Sequence, residues 1–454
     1  MHGNGKKKFG RPPTLLLDVE KELKNHILLM EERMFGLTPT EIRELAFDVA
    51  EQMQPGQHMF NGCAGKKWYY NFLKRNPELS LRTPELTSMA RIKGFSRKRV
   101  QKFFDKLTEL VDRFHFGPEH VYNVDETGIS TVQKTVRKIV GLKGKRQVGG
   151  VKSAERGTNT TAVCCVNVTG NYVPPMLIFK MMNKNQKEIP SALEIGKPRG
   201  SLIRISDSGY IHKELFFGMV ASHFQNHVQC SKERPVLLLL DGRTTHSKNL
   251  QAIHFCRDNG IVMLQLPSHT THRLQPLDIA FFGPLQGFLA SAEKGWLTDN
   301  PGKIISIYEI PTLFKDSYYR AATLGNAESA FRGSGIWPID ILRFPEHAYA
   351  AADALNSGSD PENDENDSAM ANLEVNVEVH EVDENAVAVA VSDIEPIQQQ
   401  TPSAKDVIQK ISPVPIVPST STGKKKRGRP LQEAEELTSS PYKDKLEETE
   451  RIKA

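Results

Sequence analysis

Residues 236–242 read Val-Leu-Leu-Leu-Leu-Asp-Gly, an apolar run that ends abruptly in a carboxylate and a glycine. Five consecutive apolar side chains followed by turn residues are typical of a strand that is buried on both faces of a sheet. Strands of this kind occur in α/β domains, where helices cover both faces of the sheet. The stretch therefore predicts the centre of an α/β domain, with Asp241 at the carboxyl end of a core strand.

The surrounding sequence extends this domain in both directions. Further strands are predicted at 121–124, 161–168, 172–179 and 261–266, with a helix at about 248–258. The turn residues Thr169, Gly170 and Asn171 join two of these strands into a hairpin. Mixed strands with intervening helices predict an α/β domain with a mixed sheet over about 118–345, preceded by a connecting helix within 91–117.

Ahead of this domain, three short helices are predicted at 18–35, from Thr38 onward and at 64–75. The second helix has a clear start, since Thr38-Pro39-Thr40-Glu41 combines a capping threonine with a proline and a glutamate in the first turn. The third has a basic face formed by Lys66, Lys67, Lys74 and Arg75. Three short helices with a basic third one predict a helix-turn-helix DNA-binding module over 14–90. A small helical bundle with a solvated basic face is the alternative.

Charge is strongly segregated along the chain, although the net charge is only +5. Residues 351–400 hold 13 acidic residues and no basic one, and 401–454 hold 11 basic and 8 acidic residues, which leaves 48 basic and 33 acidic residues in the first 350. A basic body with an acidic segment favours a polyanionic partner such as double-stranded DNA. Residues 1–13 form a basic arm or linker in this interpretation.

The C-terminal segment 351–454 is predicted to be disordered, because it has few aromatic residues and is rich in Asp, Glu, Ser, Pro and Gln. Within it, Lys424-Lys425-Lys426-Arg427-Gly428-Arg429-Pro430 is a compact basic block. Arg427 and Arg429 resemble the core of an AT-hook, which lies in a narrow A·T minor groove. The same block suits a nuclear import signal, and a generic basic run is the third interpretation.

Several classes of protein are disfavoured. No apolar run approaches the roughly 18–20 residues that span a bilayer, so no membrane association is expected. Five cysteines without C-x-x-C spacing argue against a disulfide framework and a zinc ribbon, and favour a reduced, intracellular chain. The sequence also lacks a Walker-type phosphate loop and the G-x-S-x-G pattern of serine hydrolases.

Three aspartates are candidate site residues. Asp125 and Asp241 each end an apolar strand, and Asp278 falls in the first turn of a helix that begins near Pro276. If they converge, their oxygens suit Mg²⁺ or Mn²⁺, and two such ions support phosphodiester cleavage or strand transfer. Each could instead be a turn or helix-capping residue. A zinc hydrolase site built from His246, His269 and His272 is a weaker rival, since no H-E-x-x-H pattern is present.

Longer motifs resemble a known family. The segments 123–128 (Asn-Val-Asp-Glu-Thr-Gly), 240–242 (Leu-Asp-Gly) and 266–278 (Leu-Pro-Ser-His-Thr-Thr-His-Arg-Leu-Gln-Pro-Leu-Asp) resemble transposases of the pogo/Tigger group, as does the closing motif at 330–338. Upstream, 35–38, 64–68 and 72–80 resemble the helix-turn-helix module named after centromere protein B. The resemblance covers about 10–340.

The resemblance implies an α+β multidomain protein, with an N-terminal all-α helix-turn-helix module, a central RNase H-like domain and the disordered tail. It places Asp125, Asp241 and Asp278 at the positions of a metal-binding acidic triad that cuts and joins DNA. Two departures are expected to matter: one helix-turn-helix unit where relatives often carry two, and Arg243 where relatives often show Asn-His or Gly-His after the aspartate. We expect a nuclear DNA-binding protein that acts as a homo-oligomer on DNA.

Two functional classes follow from these expectations. In the first, the chain is a metal-dependent endonuclease or transposase. In the second, it is a domesticated, non-catalytic DNA-binding regulator or chromatin protein that keeps the RNase H-like fold as a scaffold.

Overall fold

The structure is a computed structural model that describes residues 14–53, 60, 62–84, 86–132, 140, 142–143, 149, 154–181, 188–356, 403–415 and 432–453. These residues divide into two compact units. A helical unit draws on 1–86 and 350–425, and an α/β unit draws on 87–349 and 426–454. The predicted arm at 1–13 and the pair Arg427 and Arg429 lie outside the described residues.

The helices of the described residues are α1 (Leu17–Glu32), α2 (Pro39–Met53), α3 (Lys66–Arg75), α4 (Met89–Gly94), α5 (Arg97–Phe114), α6 (Lys213–Gly218), α7 (Gln225–Val228), α8 (Thr244–Ser247), α9 (Leu250–Asp258), α10 (Thr271–Leu274), α11 (Pro276–Ala280), α12 (Phe282–Asp299), α13 (Ile310–Ala321), α14 (Leu324–Ser334), α15 (Ala350–Asn356), α16 (Ala404–Ile411) and α17 (Ser440–Lys453). A π-helical turn, Met219–Phe224, joins α6 to α7, and short 3₁₀ turns lie at Pro118–His120, Ser191–Glu194 and Glu346–Ala348. The strands are β1 (Val121–Ser130), β2 (Asn159–Asn167), β3 (Tyr172–Lys180), β4 (Leu202–Ser206), β5 (Val236–Leu240), β6 (Ile261–Gln265) and β7 (Glu435–Glu436).

The helical unit confirms the three helices predicted from the N-terminal sequence. Their apolar faces enclose one core, in which Leu23, Val49 and Phe72 are fully buried. The predicted start of α2 is also confirmed: the Glu41 amide donates to Thr38 Oγ1 (3.3 Å), and the Thr38 amide donates to Glu41 Oε2 (2.6 Å). This reciprocal capping box satisfies two amides that the first turn of a helix leaves without a partner.

The prediction of disorder for 351–454 is wrong for three segments, namely the part of α15 at 351–356, the region around α16, and 432–453. In α15, Ala351 and Ala352 are buried. Ala404 and Ile408 are buried in the same core as α1 and α2, and Ser403 caps the helix by accepting from the Asp406 amide (3.2 Å). A short amphipathic helix needs no core of its own when an existing core takes its apolar stripe. The average amino-acid composition of 351–454 does not reveal such a short apolar stripe.

The α/β unit is built on one seven-stranded sheet with the order β4-β3-β2-β1-β5-β6-β7. Strands β1, β2 and β3 form an antiparallel meander, and β5 and β6 continue the sheet parallel to β1. The predicted helical module followed by an α/β domain with a mixed sheet is confirmed.

Helices cover both faces of this sheet, as the opening stretch of apolar residues predicts. Successive side chains of β5 point to opposite faces, so Leu237 and Leu239 join the core beneath α5 and α12, whereas Leu238 and Leu240 join the core beneath α9. All residues of β5 are buried. Asp241 is therefore the first residue that the chain can place at the rim of the sheet.

The last ordered part of the tail is 432–453, which completes the far edge of this sheet. Strand β7 pairs antiparallel with β6, and the Leu437 amide donates to the Met263 carbonyl (2.9 Å). Leu437 is fully buried, and Arg113 holds Glu436 at 2.6 Å. Strand β6 has backbone groups that β7 can pair with, and the core next to it accepts Leu437. A segment with a polar composition therefore folds here, although its composition alone does not predict this.

Candidate active site

Asp125 and Asp241 come together because they lie on neighbouring parallel strands. Asn123 of β1 pairs with Leu239 of β5, so two residues further on Asp125 lies beside Asp241, where β5 has just ended. The prediction that Asp125 ends its strand is wrong, because β1 continues to Ser130 and Asp125 pairs with Cys164 of β2. One carboxylate oxygen from each of Asp125, Glu126 and Asp241 lies within 4.8 Å of the others. The carboxyl ends of strands in open α/β sheets are where ligands gather.

A buried polar network holds α11, and with it Asp278, against β1. Asn123 Nδ2 donates to the Leu239 carbonyl and to Gln275 Oε1, both at 3.1 Å, and Asn123 Oδ1 accepts from the Leu277 amide at 3.1 Å. Gln275 Nε2 in turn donates to the Val124 carbonyl at 3.2 Å. Asp278 follows Leu277 directly, close enough to Asp125 and Asp241 to raise the pKa of Asp125 and to have its own pKa raised by Asp241.

Two basic side chains bind the same cluster. Arg243 Nε lies 2.7 Å from Asp241 Oδ2, and its Nη1 donates to Glu126 Oε2 at 2.7 Å. His246 Nε2 donates to Glu126 Oε1 at 3.1 Å, and its Nδ1 lies 2.9 Å from Asp241 Oδ1, off the line of a well-directed hydrogen bond. Glu126 and Asp241 therefore each carry two cationic partners.

The pKa values of the three aspartates are shifted in different directions. Burial, followed by repulsion from Glu126, Asp278 and Asp241, raises the pKa of Asp125 well above its usual value. Burial acts in the same direction on Asp241, but contacts with His246 and Arg243 outweigh it and lower the pKa of that residue. Asp278 is the most exposed, yet enough protein surrounds it for desolvation to raise its pKa, while Arg91 opposes the rise.

His246 is charged at neutral pH in this setting. Burial alone would lower the pKa of its imidazole, but Glu126 and Asp241 raise it to about 10. The side chain is almost completely buried, so the imidazolium is a fixed positive charge behind the carboxylates.

The residues present fit a divalent cation with hard oxygen ligands. Among the described residues, no basic side chain lies within ion-pair distance of Asp125, although it is buried and repelled by three neighbouring acids. A buried carboxylate in this position requires a proton or a cation. Asp125 and Asp241 could hold Mg²⁺ or Mn²⁺, with Asp278 and Glu126 close by.

Sequence reasoning missed four residues that shape this cluster: Asn123, Glu126, His246 in its present role, and Gln275. A polar residue inside an apolar strand was a usable signal for Asn123, since buried amides need partners. Glu126 gave a misleading signal, because adjacent strand residues point to opposite faces. The zinc alternative gains no support: within the described part of the chain, the group of potential ligands includes neither His269 nor His272.

The predicted DNA-contacting residues of the helical unit lie on α3 and differ from one another. Lys66, Lys67 and Lys74 are exposed. Arg75 instead forms a bidentate ion pair with the buried carboxylate of Glu20, at 2.8 and 2.9 Å. The guanidinium of Arg75 thus joins α3 to α1, and a contact with DNA would have to coexist with that pair.

Within the described ranges, none of the helices is both long enough and apolar enough to cross a membrane. The chain is 28% identical over 223 residues to the protein named MFS-type transporter clz9 of Cochliobolus lunatus, a match that covers 49% of this chain and 23% of that protein. The matched region is thus less than a quarter of the relative's length.

Two family models match the regions singled out above. Residues 16–83 match the Tc5 transposase DNA-binding domain, and residues 157–299 match the DDE superfamily endonuclease, a range that includes Asp241 and Asp278 and begins after Asp125.

Solved structures of the Mos1 transposase are also similar. The paired-end complex with the left transposon end is 13% identical, covers 73% of this chain and 82% of that chain, and has a TM-score of 0.39. The paired-end complex with Mg is 12% identical, covers 71% and 84%, and has a TM-score of 0.39. The two family matches confirm the predicted resemblance to pogo/Tigger-like, transposase-derived proteins: one region of the chain matches a Tc5 transposase DNA-binding domain and another matches a DDE superfamily endonuclease.

Proposed function

We propose that this protein binds double-stranded DNA and cuts or joins its strands at a divalent-metal site formed by Asp125, Asp241 and Asp278. The observation that carries the proposal is that Asp125 and Asp241, which are remote in sequence, have carboxylate oxygens within 4.8 Å of each other, with Asp278 near enough to raise the pKa of Asp125. Scattered turn or capping aspartates would not raise one another's pKa values.

In this proposal, some residues bind the metal and others position the ligands. Mg²⁺ or Mn²⁺, when bound, would supply an activated water or 3′-hydroxyl and stabilise the leaving oxygen. Asp125, Asp241 and Asp278 provide the oxygen ligands. Asn123 and Gln275 act as positioning residues, because their hydrogen bonds fix α11 and hence Asp278 relative to β1.

DNA binding is assigned to the helical unit. Its match to a transposase DNA-binding domain and the exposed Lys66, Lys67 and Lys74 on α3 support this role. Contacts between lysines and phosphates supply affinity that falls steeply with salt. Arg427 and Arg429 are proposed as further DNA contacts on the basis of their sequence alone. A nuclear location and assembly as a homo-oligomer on DNA complete the proposal.

A cleavage assay on the full-length chain tests the catalytic part. Supercoiled plasmid is incubated with the protein and Mg²⁺ or Mn²⁺, and nicked and linear products are measured for wild type, Asp241→Asn and the control Asp316→Asn, which alters an exposed aspartate. We expect metal-dependent cleavage that Asp241→Asn abolishes and the control retains. Cleavage that persists in Asp241→Asn would contradict the assignment of Asp241 to the catalytic site.

The same assay separates the second functional class. A chain that retards DNA in a gel but cleaves no substrate with either metal would fit a domesticated, non-catalytic regulator or chromatin protein. Asp125, Glu126, Asp241 and Asp278 would then have only a structural role.

A further inference from the structure

The side chain of Arg243 lies between two carboxylates of this cluster. Its guanidinium bridges two carboxylates, lying 2.7 Å from Asp241 Oδ2 and 2.7 Å from Glu126 Oε2. Both acids belong to the group whose oxygens lie within 4.8 Å of one another. A bridging guanidinium thus engages Asp241, one of the carboxylates that a divalent ion would use.

Local backbone geometry holds the backbone of Arg243 beside Asp241. The Arg243 amide donates to Asp241 Oδ1 at 3.2 Å, a turn that an aspartate commonly forms with the residue two positions on. Gly242 lies between them and lets the backbone pass close to two glutamine side chains. A Cβ there would lie 2.6 Å from Gln432 Oε1 and 3.3 Å from Gln265 Nε2. Arg243 is therefore held beside the acids by the chain itself.

Arg243 and His246 make similar contacts but differ in exposure. The His246 side chain is 2% exposed and is enclosed behind the carboxylates, whereas the Arg243 side chain is 52% exposed. A buried imidazolium cannot leave without unpacking the domain. A half-exposed guanidinium on a flexible stem can be displaced into solvent, so it is the replaceable member of the pair.

We propose that Arg243 is a tethered cation that competes with the divalent ion for Asp241, which it bridges to Glu126, so that the site binds metal more weakly than its carboxylates alone would. This inference rests on the proposed metal site and deepens it by naming a residue that sets metal affinity. The competition is electrostatic: a divalent ion entering the cluster meets the positive charge of Arg243 at short range, in a partly desolvated site. Metal binding then requires the guanidinium to withdraw.

Mn²⁺ binding to the full-length chain without DNA tests the competition directly. Titration calorimetry, with free Mn²⁺ followed by electron paramagnetic resonance, is performed on wild type, Arg243→Gln, Arg243→Lys and the control Arg332→Gln, an exposed arginine on α14. We expect Arg243→Gln to bind Mn²⁺ about tenfold more tightly or better, which corresponds to about 1.4 kcal/mol. Arg243→Lys retains the charge and should stay within a few-fold of wild type, and the control should be unchanged.

Thermal unfolding provides a second readout that is independent of calorimetry. Without metal, Arg243→Gln should unfold at a lower temperature than wild type, because the carboxylates lose a partner. With Mn²⁺ the variant should gain more stability than wild type gains. Equal or weaker Mn²⁺ affinity in a folded Arg243→Gln variant would overturn the inference.

Asp241→Asn separates this failure from failure of the proposed site. If wild type binds Mn²⁺, Asp241→Asn abolishes binding and Arg243→Gln changes nothing, the metal site stands and the competition is disproved. If neither wild type nor Arg243→Gln binds Mn²⁺ at a stoichiometric site, the metal-site proposal and the inference fail together.

Discussion

The helical unit and the α/β unit both gather charges of one sign, but in opposite physical settings. On α3 the amines of Lys66, Lys67 and Lys74 are exposed and stay hydrated, so bringing them together is nearly without cost. At the rim of the sheet, Asp125 and Asp241 are buried, and the cluster is stable only with cations nearby. Like charges on a surface indicate a binding face, whereas like charges in a desolvated site indicate a bound cation.

The difference also predicts how substitutions behave. In a buried cluster each residue alters the protonation and position of its neighbours, so one change has a large and local effect. On a solvated face each lysine acts almost independently, so effects are small and add up.

Asp125→Asn should have the largest effect of the substitutions considered. It removes a proposed metal ligand, and we expect DNA cleavage to fall on the order of a thousandfold or more. Because repulsion and burial already raise the pKa of Asp125, a neutral amide relieves strain, and the thermal midpoint without metal should not fall. Plasmid cleavage and thermal unfolding measure the two effects.

Asp258→Asn, an exposed residue at the end of α9, is the matched control and should change neither quantity. An Asp125→Asn variant that is folded but keeps wild-type cleavage would remove this residue from the proposed site.

Leu437→Ala tests whether the α/β unit depends on its C-terminal segment. The side chain is fully buried between β6 and the core of this face, so we expect a loss of about 2–4 kcal/mol in the free energy of unfolding. Chemical denaturation of the full chain measures it. Ile452→Ala alters an exposed apolar residue of α17 and should stay within about 0.5 kcal/mol of wild type. Equal, small effects of both variants would mean that 432–453 does not contribute to folding.

Arg75→Ala probes the one basic residue of α3 that is not simply solvated. Removing it leaves the buried carboxylate of Glu20 without its bidentate partner, so we expect the helical unit to lose about 1–3 kcal/mol, with the pair's partial exposure reducing the full cost of a broken buried pair. The neighbouring Lys74→Ala should be nearly neutral for stability. A stable Arg75→Ala variant with reduced DNA affinity would show that the residue contacts DNA rather than holding α1 and α3 together.

The sequence alone predicted the strands well, but it predicted few of the side-chain contacts at the candidate site. Apolar runs predicted β5 and β6 almost to the residue, because burial on both faces leaves a clear composition signal. Predicted strand ends then pointed to Asp125 and Asp241, but only Asp241 follows the end of its strand, since β1 continues past Asp125 to Ser130. Nothing local indicated that Glu126 would meet His246, since that contact joins residues 120 positions apart.

The same limit explains Arg75 and the tail. Arg75 shares a helix face with lysines, and only the position of Glu20, 55 residues away, distinguishes it from them. The tail was judged by average composition, yet its ordered pieces depend on a few apolar side chains, such as Ile408 and Leu437, that enter cores built by other segments. Long-range contacts, rather than local propensity, decide these cases.

Lys67→Ala combined with Lys74→Ala should have the smallest effect on the protein itself and a graded effect on DNA binding. Both side chains are exposed, so the free energy of unfolding should change by less than about 0.5 kcal/mol. If each lysine neutralises one phosphate, the slope of log affinity against log salt should flatten by about 1.8. Fluorescence anisotropy with a labelled duplex over a range of salt concentrations measures the slope.

A matched double variant, Lys232→Ala with Lys294→Ala, removes two exposed lysines of the α/β unit. If only the total charge mattered, both double variants would flatten the slope equally, and α3 would have no special role. A larger change for Lys67 and Lys74 assigns the counterion release to α3. An unchanged slope in that variant would mean that its basic face is simply a solvated surface, which is the alternative that the sequence left open.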